Sequence, residues 1–297
     1  MRIIKRKTTN DVIFDIINYI ILTIVGLIAL YPLIFILSAS VSDPIQVWNG
    51  EVWLLPKGTT MEGYARIFKD SDLWRGYLNS IIYTALAIGI GVLLTILAAY
   101  PLSRKDFKAR NILMGIYTFT MFFNGGIIPT YLIIKSLGML DTIWAVVMPG
   151  AVSVTNIIIT RTFFQSTIPD VLYEAAEIDG CSDFKFFVKM VLPLSAAIVA
   201  VMVLFYGVAQ WNSYFNGLMY LSSRELFPLQ LYLREILVES QAAEETMTGL
   251  REATEQLQFA EMVKYGLIIV SSLPVLIVYP FIQKYFIKGV MIGSIKG

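Results

Sequence analysis

Between residues 173 and 193 the chain reads YEAAEIDGCSDFKFFVKMVLP. Four carboxylates, Glu174, Glu177, Asp179 and Asp183, stand there beside the only cysteine, Cys181. What they can do is limited by what the sequence lacks. It has no histidine, which removes Ser-His-Asp triads, histidine metal sites and imidazole proton relays. One cysteine makes neither an internal disulfide nor a Cys-rich metal site. No G-x-x-x-x-G-K-S/T stretch occurs, so any ATP dependence must come from a partner. No clustered intramembrane carboxylates support a catalytic site, so no catalytic residue and no metal ligand is expected. The glutamates instead offer charge to a basic groove, with a solvated interfacial helix as the plain alternative.

The local pattern gives these residues a form. Ile168-Pro169-Asp170 reads as a helix start, with proline in the first turn and Asp170 at the positive end of the dipole. The helix is expected to run to about Asp179, with Gly180 as a left-handed cap. Ser182 then caps a second helix leading toward Pro193. Leu172, Ala175, Ala176 and Asp179 follow the i, i+3, i+4, i+7 rule and are expected to share a face. Asp170, Glu174 and Glu177 form an adjoining acidic stripe. Two alanines leave little bulk, so another surface can come close.

The elements that must position this stretch are apolar. The 297 residues are 57% hydrophobic and 15% charged, where soluble chains are nearer a quarter charged. Mean hydropathy is +0.68. A net charge of +1 gives no hint of nucleic acid. Runs of about 20 apolar residues match a bilayer core. The expectation is an all-α membrane protein with lipid around it. Its six transmembrane spans fall at about 14–38, 79–101, 111–133, 141–163, 192–213 and 262–283. They make up a transmembrane domain, 14–283, between an N-terminal segment, 1–13, and a tail, 284–297. The first run is too long for a signal-peptide core, so an uncleaved anchor is expected.

Lysine and arginine in the short connections set orientation. Arg2, Lys5, Arg6 and Lys7 precede span one, and Arg104, Lys105, Lys108 and Arg110 follow span two. Arg161, Lys185 and Lys189 lie in or beside the loop 164–191, and Lys284, Lys288 and Lys296 in the tail. These segments, and so both termini, are expected in the cytoplasm. The opposite segments, about 39–78 and 214–261, carry an acidic excess and the aromatics Trp48, Trp53, Trp74 and Tyr232, which suit a protein partner outside.

Within the spans, Ala85/Gly89 and Ala87/Gly91 allow close helix approach. FFNGGIIPTY (122–131) and MPG (148–150) predict kinks or breaks, either for packing or to shape a path. No charged residue sits mid-span, which counts against an ion-coupled carrier. Asn156, Tyr206, Gln210, Trp211 and Asn212 are candidates for a sugar path. Amides beside aromatics suit sugar hydroxyls and ring faces, and they equally suit interhelical hydrogen bonds.

One spacing is more specific. Glu174-Ala175-Ala176, Gly180, Met190 and Leu192-Pro193 follow E-A-A, three residues, G, nine residues, an apolar residue, then x-L-P. This resembles the signature of permease subunits of bacterial binding-protein-dependent ABC importers. FYGVAQWNSYFNGLMYL, FPLQLYLREIL and KGVMIGSIKG look like the oligosaccharide branch, the lipoprotein-associated, alginate-type group. Met190 stands in place of the usual isoleucine. Ala196 stands where a proline is common, which leaves the start of span five open.

The resemblance implies a type I importer permease fold in the bacterial cytoplasmic membrane. It implies an ATPase-coupling role for Glu174, Ala175, Ala176, Asp179, Gly180, Leu192 and Pro193. It also implies a second, non-identical permease, two cytoplasmic ATPases that bind ATP and Mg, an extracytoplasmic solute-binding lipoprotein and a sugar substrate. A permease for a non-sugar solute is the nearest alternative, followed by an ion-coupled carrier.

Overall fold

The computed structural model describes residues 8–246, 263–281 and 283. The basic cluster at 2–7, segment 247–262 and the tail from 284 lie outside the described residues. Among those described there are helices and no strand.

The described residues within 1–70 and 236–271 form one unit. Helix α1, Thr9–Ser40, starts at a capping box: the Asp11 amide donates to Thr8 Oγ1 at 3.3 Å, and the Thr8 amide donates to the Asp11 carboxylate at 2.9 Å. Its most apolar stretch has a mean hydropathy of 2.8 and buries nothing within the chain, as a lipid-facing span would. The segment after it folds back through α2, Pro44–Trp48, and α3, Glu62–Lys69. Ser38 Oγ donates to the Leu54 carbonyl at 2.6 Å, and Tyr64 donates to Ser40 Oγ at 3.0 Å.

Residues 71–235 and 272–297 form the other unit. Its spine is α4, Ser71–Ser103. At 33 residues it is about 50 Å long, well beyond a ~30 Å bilayer core. Then come α5, Arg110–Phe122, α6, Ile127–Ser136, α7, Ile143–Val147, and α8, Val154–Thr167. After them are α9, Asp170–Ile178, α10, Asp183–Leu194, and α11, Ala196–Trp211. The chain continues through α12, Phe215–Tyr220, and α13, Leu229–Thr246, and the last described helix is α14, Val263–Phe281.

Among the described residues, α1, α4 and α14 are the helices long and apolar enough to cross a bilayer unbroken. Three of the six expected spans are bent pairs, two of them at the glycine and proline segments 122–131 and 148–150 where kinks or breaks are expected. The α5–α6 pair turns by 112°, α7–α8 by 49° and α10–α11 by 77°. Each bend has a local cause. Gly126 takes φ +85°, with its amide donated to Asn124 Oδ1 at 2.9 Å. Pro149 sits in a 3-10 turn, Met148–Gly150, between α7 and α8. Pro193 lacks an amide hydrogen and crowds the carbonyl four residues back, and the helix loosens into a π turn over Phe187–Val191. The helix is interrupted there: α10 ends at Leu194 and α11 begins at Ala196.

The core of this unit joins four helices. Ile96, Ala99 and Leu102 of α4 pack with Ile157 and Phe164 of α8, Phe186, Phe187 and Val191 of α10, and Met202 and Tyr206 of α11. Ala87/Gly91 serves close approach as expected: a Cβ on Gly91 would lie 2.7 Å from the Tyr206 ring. Gly89 has open space at that position, so the second small pair lies off this contact.

Candidate functional site

The acidic stretch folds as two helices about a glycine. α9 ends at Ile178, Gly180 follows at φ +68°, and Ser182 Oγ accepts the Lys185 amide at 3.4 Å to cap α10. The Cys181 amide donates to the Ala176 carbonyl at 2.8 Å and the Gly180 amide to the Glu177 carbonyl at 3.0 Å, a Schellman-like closure that needs the positive φ.

The faces of α9 differ from the sequence expectation. Leu172 and Ala176 turn inward with Tyr173 onto the α4–α8–α10–α11 core. Ala175 and Asp179 turn outward. The exposed face is Val171, Glu174, Ala175 and Ile178, with Val171 70% and Ile178 86% exposed. Phe184, at the start of α10, is 75% exposed. The two alanines therefore act separately. Ala176 lets α9 sit close on its own chain, and Ala175 keeps the outer face low. The spacing 171, 174, 175, 178 is as helical as 172, 175, 176, 179, so periodicity alone could not choose between them. Leu192 is half-buried and Pro193 exposed, both on α10 ahead of the 77° bend.

Tyr173 anchors the inner face. It donates to Asp183 Oδ1 at 2.9 Å, which pushes its phenol up from the ordinary value. Its ring lies edge-on to Phe186 at 5.5 Å, and the Arg104 guanidinium stands 3.1 Å from its centroid. Arg104 also grips Asp106 through Nε at 3.0 Å and Nη2 at 3.2 Å, holding that carboxyl below the usual carboxylate range. Lys105 pairs with Asp170 at 2.5 Å. These links tie the basic loop after α4 to the start of α9, and sequence reasoning missed them. The signal was present as four cations in one short loop, without any indication of which carboxylate they would meet.

The five path candidates do not converge on one opening. The Tyr206 hydroxyl shares a 2.6 Å hydrogen bond with Thr95 Oγ1 and accepts the Ser153 amide at 3.1 Å. It ties α11 to α4 and to the start of α8, beside buried Asn156. Trp211 is buried with its ring edge-on to Tyr77 at 5.7 Å. Asn212 is exposed and donates back to the Val208 carbonyl at 2.9 Å, while Gln210 is half-buried.

At the far end of α4 the long connection is pinned. Asn79 Nδ2 donates to the Glu225 and Phe227 carbonyls at 2.8 and 3.1 Å, and Tyr83 donates to the Leu226 carbonyl at 2.8 Å. Asp141, at φ +56°, accepts the Ser222 and Ser223 amides at 2.9 and 2.8 Å and the Ser223 hydroxyl at 2.6 Å.

Comparison with known proteins fits this architecture. Residues 91–292 match the family described as binding-protein-dependent transport system inner membrane component. The chain is 39% identical to the polygalacturonan/rhamnogalacturonan transport system permease protein YtcP of Bacillus subtilis, over 96% of this chain and 99% of that one. It is 37% identical to protein LplC of the same organism, over 96% and 95%. Among solved structures, a chain from a bacterial ABC transporter involved in the import of the acidic polysaccharide alginate superposes with a TM-score of 0.83. That chain is 34% identical, with 95% of this chain and 99% of the other covered.

Proposed function

The chain belongs to the family of binding-protein-dependent transport system inner membrane components, and from that premise we propose that it forms half of the translocation path of an ATP-driven importer for a uronate-bearing oligosaccharide. The names of its relatives support the cargo class: one is a permease for polygalacturonan and rhamnogalacturonan, another comes from an importer of alginate.

In this reading α9 is the docking helix. Glu174 offers its charge to a basic residue of a cytoplasmic ATPase, and Val171 and Ile178 fill its groove. Ala175 permits close contact, and Gly180 sets the angle between α9 and α10. ATP and Mg are bound by two such ATPases. A second, non-identical permease completes the path, and a solute-binding lipoprotein delivers the sugar outside. Nucleotide drives a two-state change in which the permeases swing against each other. The observation that carries this is the division of α9 into an inner face packed on the bundle and an outer apolar–acidic face left exposed among the described residues.

The test is reconstitution of the chain with its co-expressed partners in vesicles. ATP-dependent uptake of an oligogalacturonide supports the proposal. Uptake driven by an ion gradient without ATP overturns it, and ATP-driven uptake of a non-sugar solute alone moves the cargo to another class.

A further inference from the structure

Behind α9 lies a cavity of about 380 Å³, enclosed by the end of α4, the start of α5, the end of α8 and residues 168–173. Four cations line it: Arg104, Lys105, Arg110 and Arg161, against one carboxylate, Asp170. We propose that this cavity is a binding site for a phosphate group, carried either by an anionic phospholipid headgroup or by a small soluble phosphate compound.

The charge in the cavity is unevenly matched. Asp170 is taken by Lys105, and Asp106, just outside, is held by Arg104. Asp106 also feels the charge of Arg110, but neither Arg110 nor Arg161 forms an ion pair among the described residues. They are nevertheless held in place. Arg161 Nε donates to the Leu102 carbonyl at 2.9 Å, and Arg110 Nη1 donates to the Arg104 carbonyl at 3.2 Å. Those bonds fix the guanidinium groups without neutralising them, and most of their N–H groups stay unspent. Two half-buried like charges on one concavity disfavour each other. An oxyanion that accepts from both relieves this, and guanidinium forks fit phosphate oxygens two at a time. A phosphate carries the charge that two arginines require, whereas a single carboxylate is already satisfied by one lysine here. Part of the remaining wall is polar, with Ser103, Gln165 and Ser166 able to donate to phosphate oxygens, and part is apolar, with Phe164, Ile168 and Phe186 suited to the carbon attached to a phosphoester. Membrane orientation asks only for positive charge in this loop. It does not ask that the charges converge on one cavity, and Lys108 of the same loop does not line it.

The proposal stands on the cavity and does not depend on the transport reading. The test uses the full chain in its purified complex. Inorganic phosphate is titrated calorimetrically in neutral detergent. In parallel, the complex is held in phosphatidylcholine nanodiscs with or without phosphatidylglycerol, and retained lipid is counted by native mass spectrometry. Arg161→Gln and Arg110→Gln should each weaken binding about tenfold or more. Asp170→Asn should tighten it by removing a competing carboxylate, and Lys108→Gln should leave it unchanged. Saturable phosphate binding that is lost in Arg161→Gln assigns a soluble source, and retention of phosphatidylglycerol that is lost in Arg161→Gln assigns the lipid. Absence of both, or an equal loss in Lys108→Gln, overturns the site. Neither readout uses ATP or cargo, so failure of the transport reading would leave these results unchanged.

Discussion

Gly180 stands at φ +68° with nothing within 4 Å of where a Cβ would point. Space is therefore not what the position demands. The backbone conformation is, and a side chain there costs about 1 kcal/mol. Gly180→Ala should keep assembly and most cargo-stimulated ATPase activity. Gly180→Pro cannot take this φ and loses the amide bond to Glu177, so it should insert normally yet lose stimulated ATPase activity. Full stimulation in the proline variant would show that the turn does not transmit. Charge reversal at Glu174, which is exposed, should reduce ATPase co-purification and leave the chain's own stability unchanged within about 0.5 kcal/mol. Asp141 provides a pH test at the other end of the bundle. The Ser223 hydroxyl, then the Ser223 and Ser222 amides, hold its carboxyl below the ordinary value. A lowered value means that the clamp is complete above the ordinary carboxylate range and is lost as pH falls through the lowered value. The protection of the Ser222 and Ser223 amides, taken as their exchange rate relative to an unstructured chain at the same pH, should therefore fall in acid, and Asp141→Asn should flatten that dependence.

At the scale of elements, α9 separates what the sequence made legible from what it did not. Its start at Asp170, its glycine stop and the Ser182 cap were readable, because each rests on a local backbone requirement. Its inward face was not, because Ala175 and Ala176 are chemically identical and only the neighbouring α4, α8 and α10 decide between them. The unbroken spans α1 and α4 followed from length and hydropathy. The 112° turn at Gly126 was foreseen as a break, but its angle depends on a φ that composition does not specify. The two alanines now make opposite predictions. Ala175→Leu should leave thermal stability in place and weaken ATPase binding. Ala176→Leu should overpack the underside of α9 and lower stability by about 1–3 kcal/mol. Equal effects in a melting and pull-down series would contradict the assigned faces.

At the scale of the molecule, the positive-inside reading puts the α9–α10 elbow in the cytoplasm and the Asp141 clamp outside. Asp179→Cys in a Cys181→Ala background should react with an impermeant maleimide in inside-out vesicles and not in intact cells. The reverse labelling would invert the topology. The candidate sugar-path residues were legible as polar groups in apolar helices, but not as struts. Tyr206 became one because Gly91 leaves room for its ring and Thr95 meets its hydroxyl.

The rings between α9 and this strut share one packed core. Tyr173 meets Phe186 at 5.5 Å, and Tyr100 meets Phe187 at 4.8 Å and Phe164 at 6.2 Å. Protein interiors are packed like crystals and transmit strain with little compression. Parts packed this closely leave little backlash, so a displacement imposed at α9 would be passed on toward α11. Phe187→Ala would put slack into that packing: the ATPases would still dock and turn over, and the first part of every stroke would be taken up closing a void.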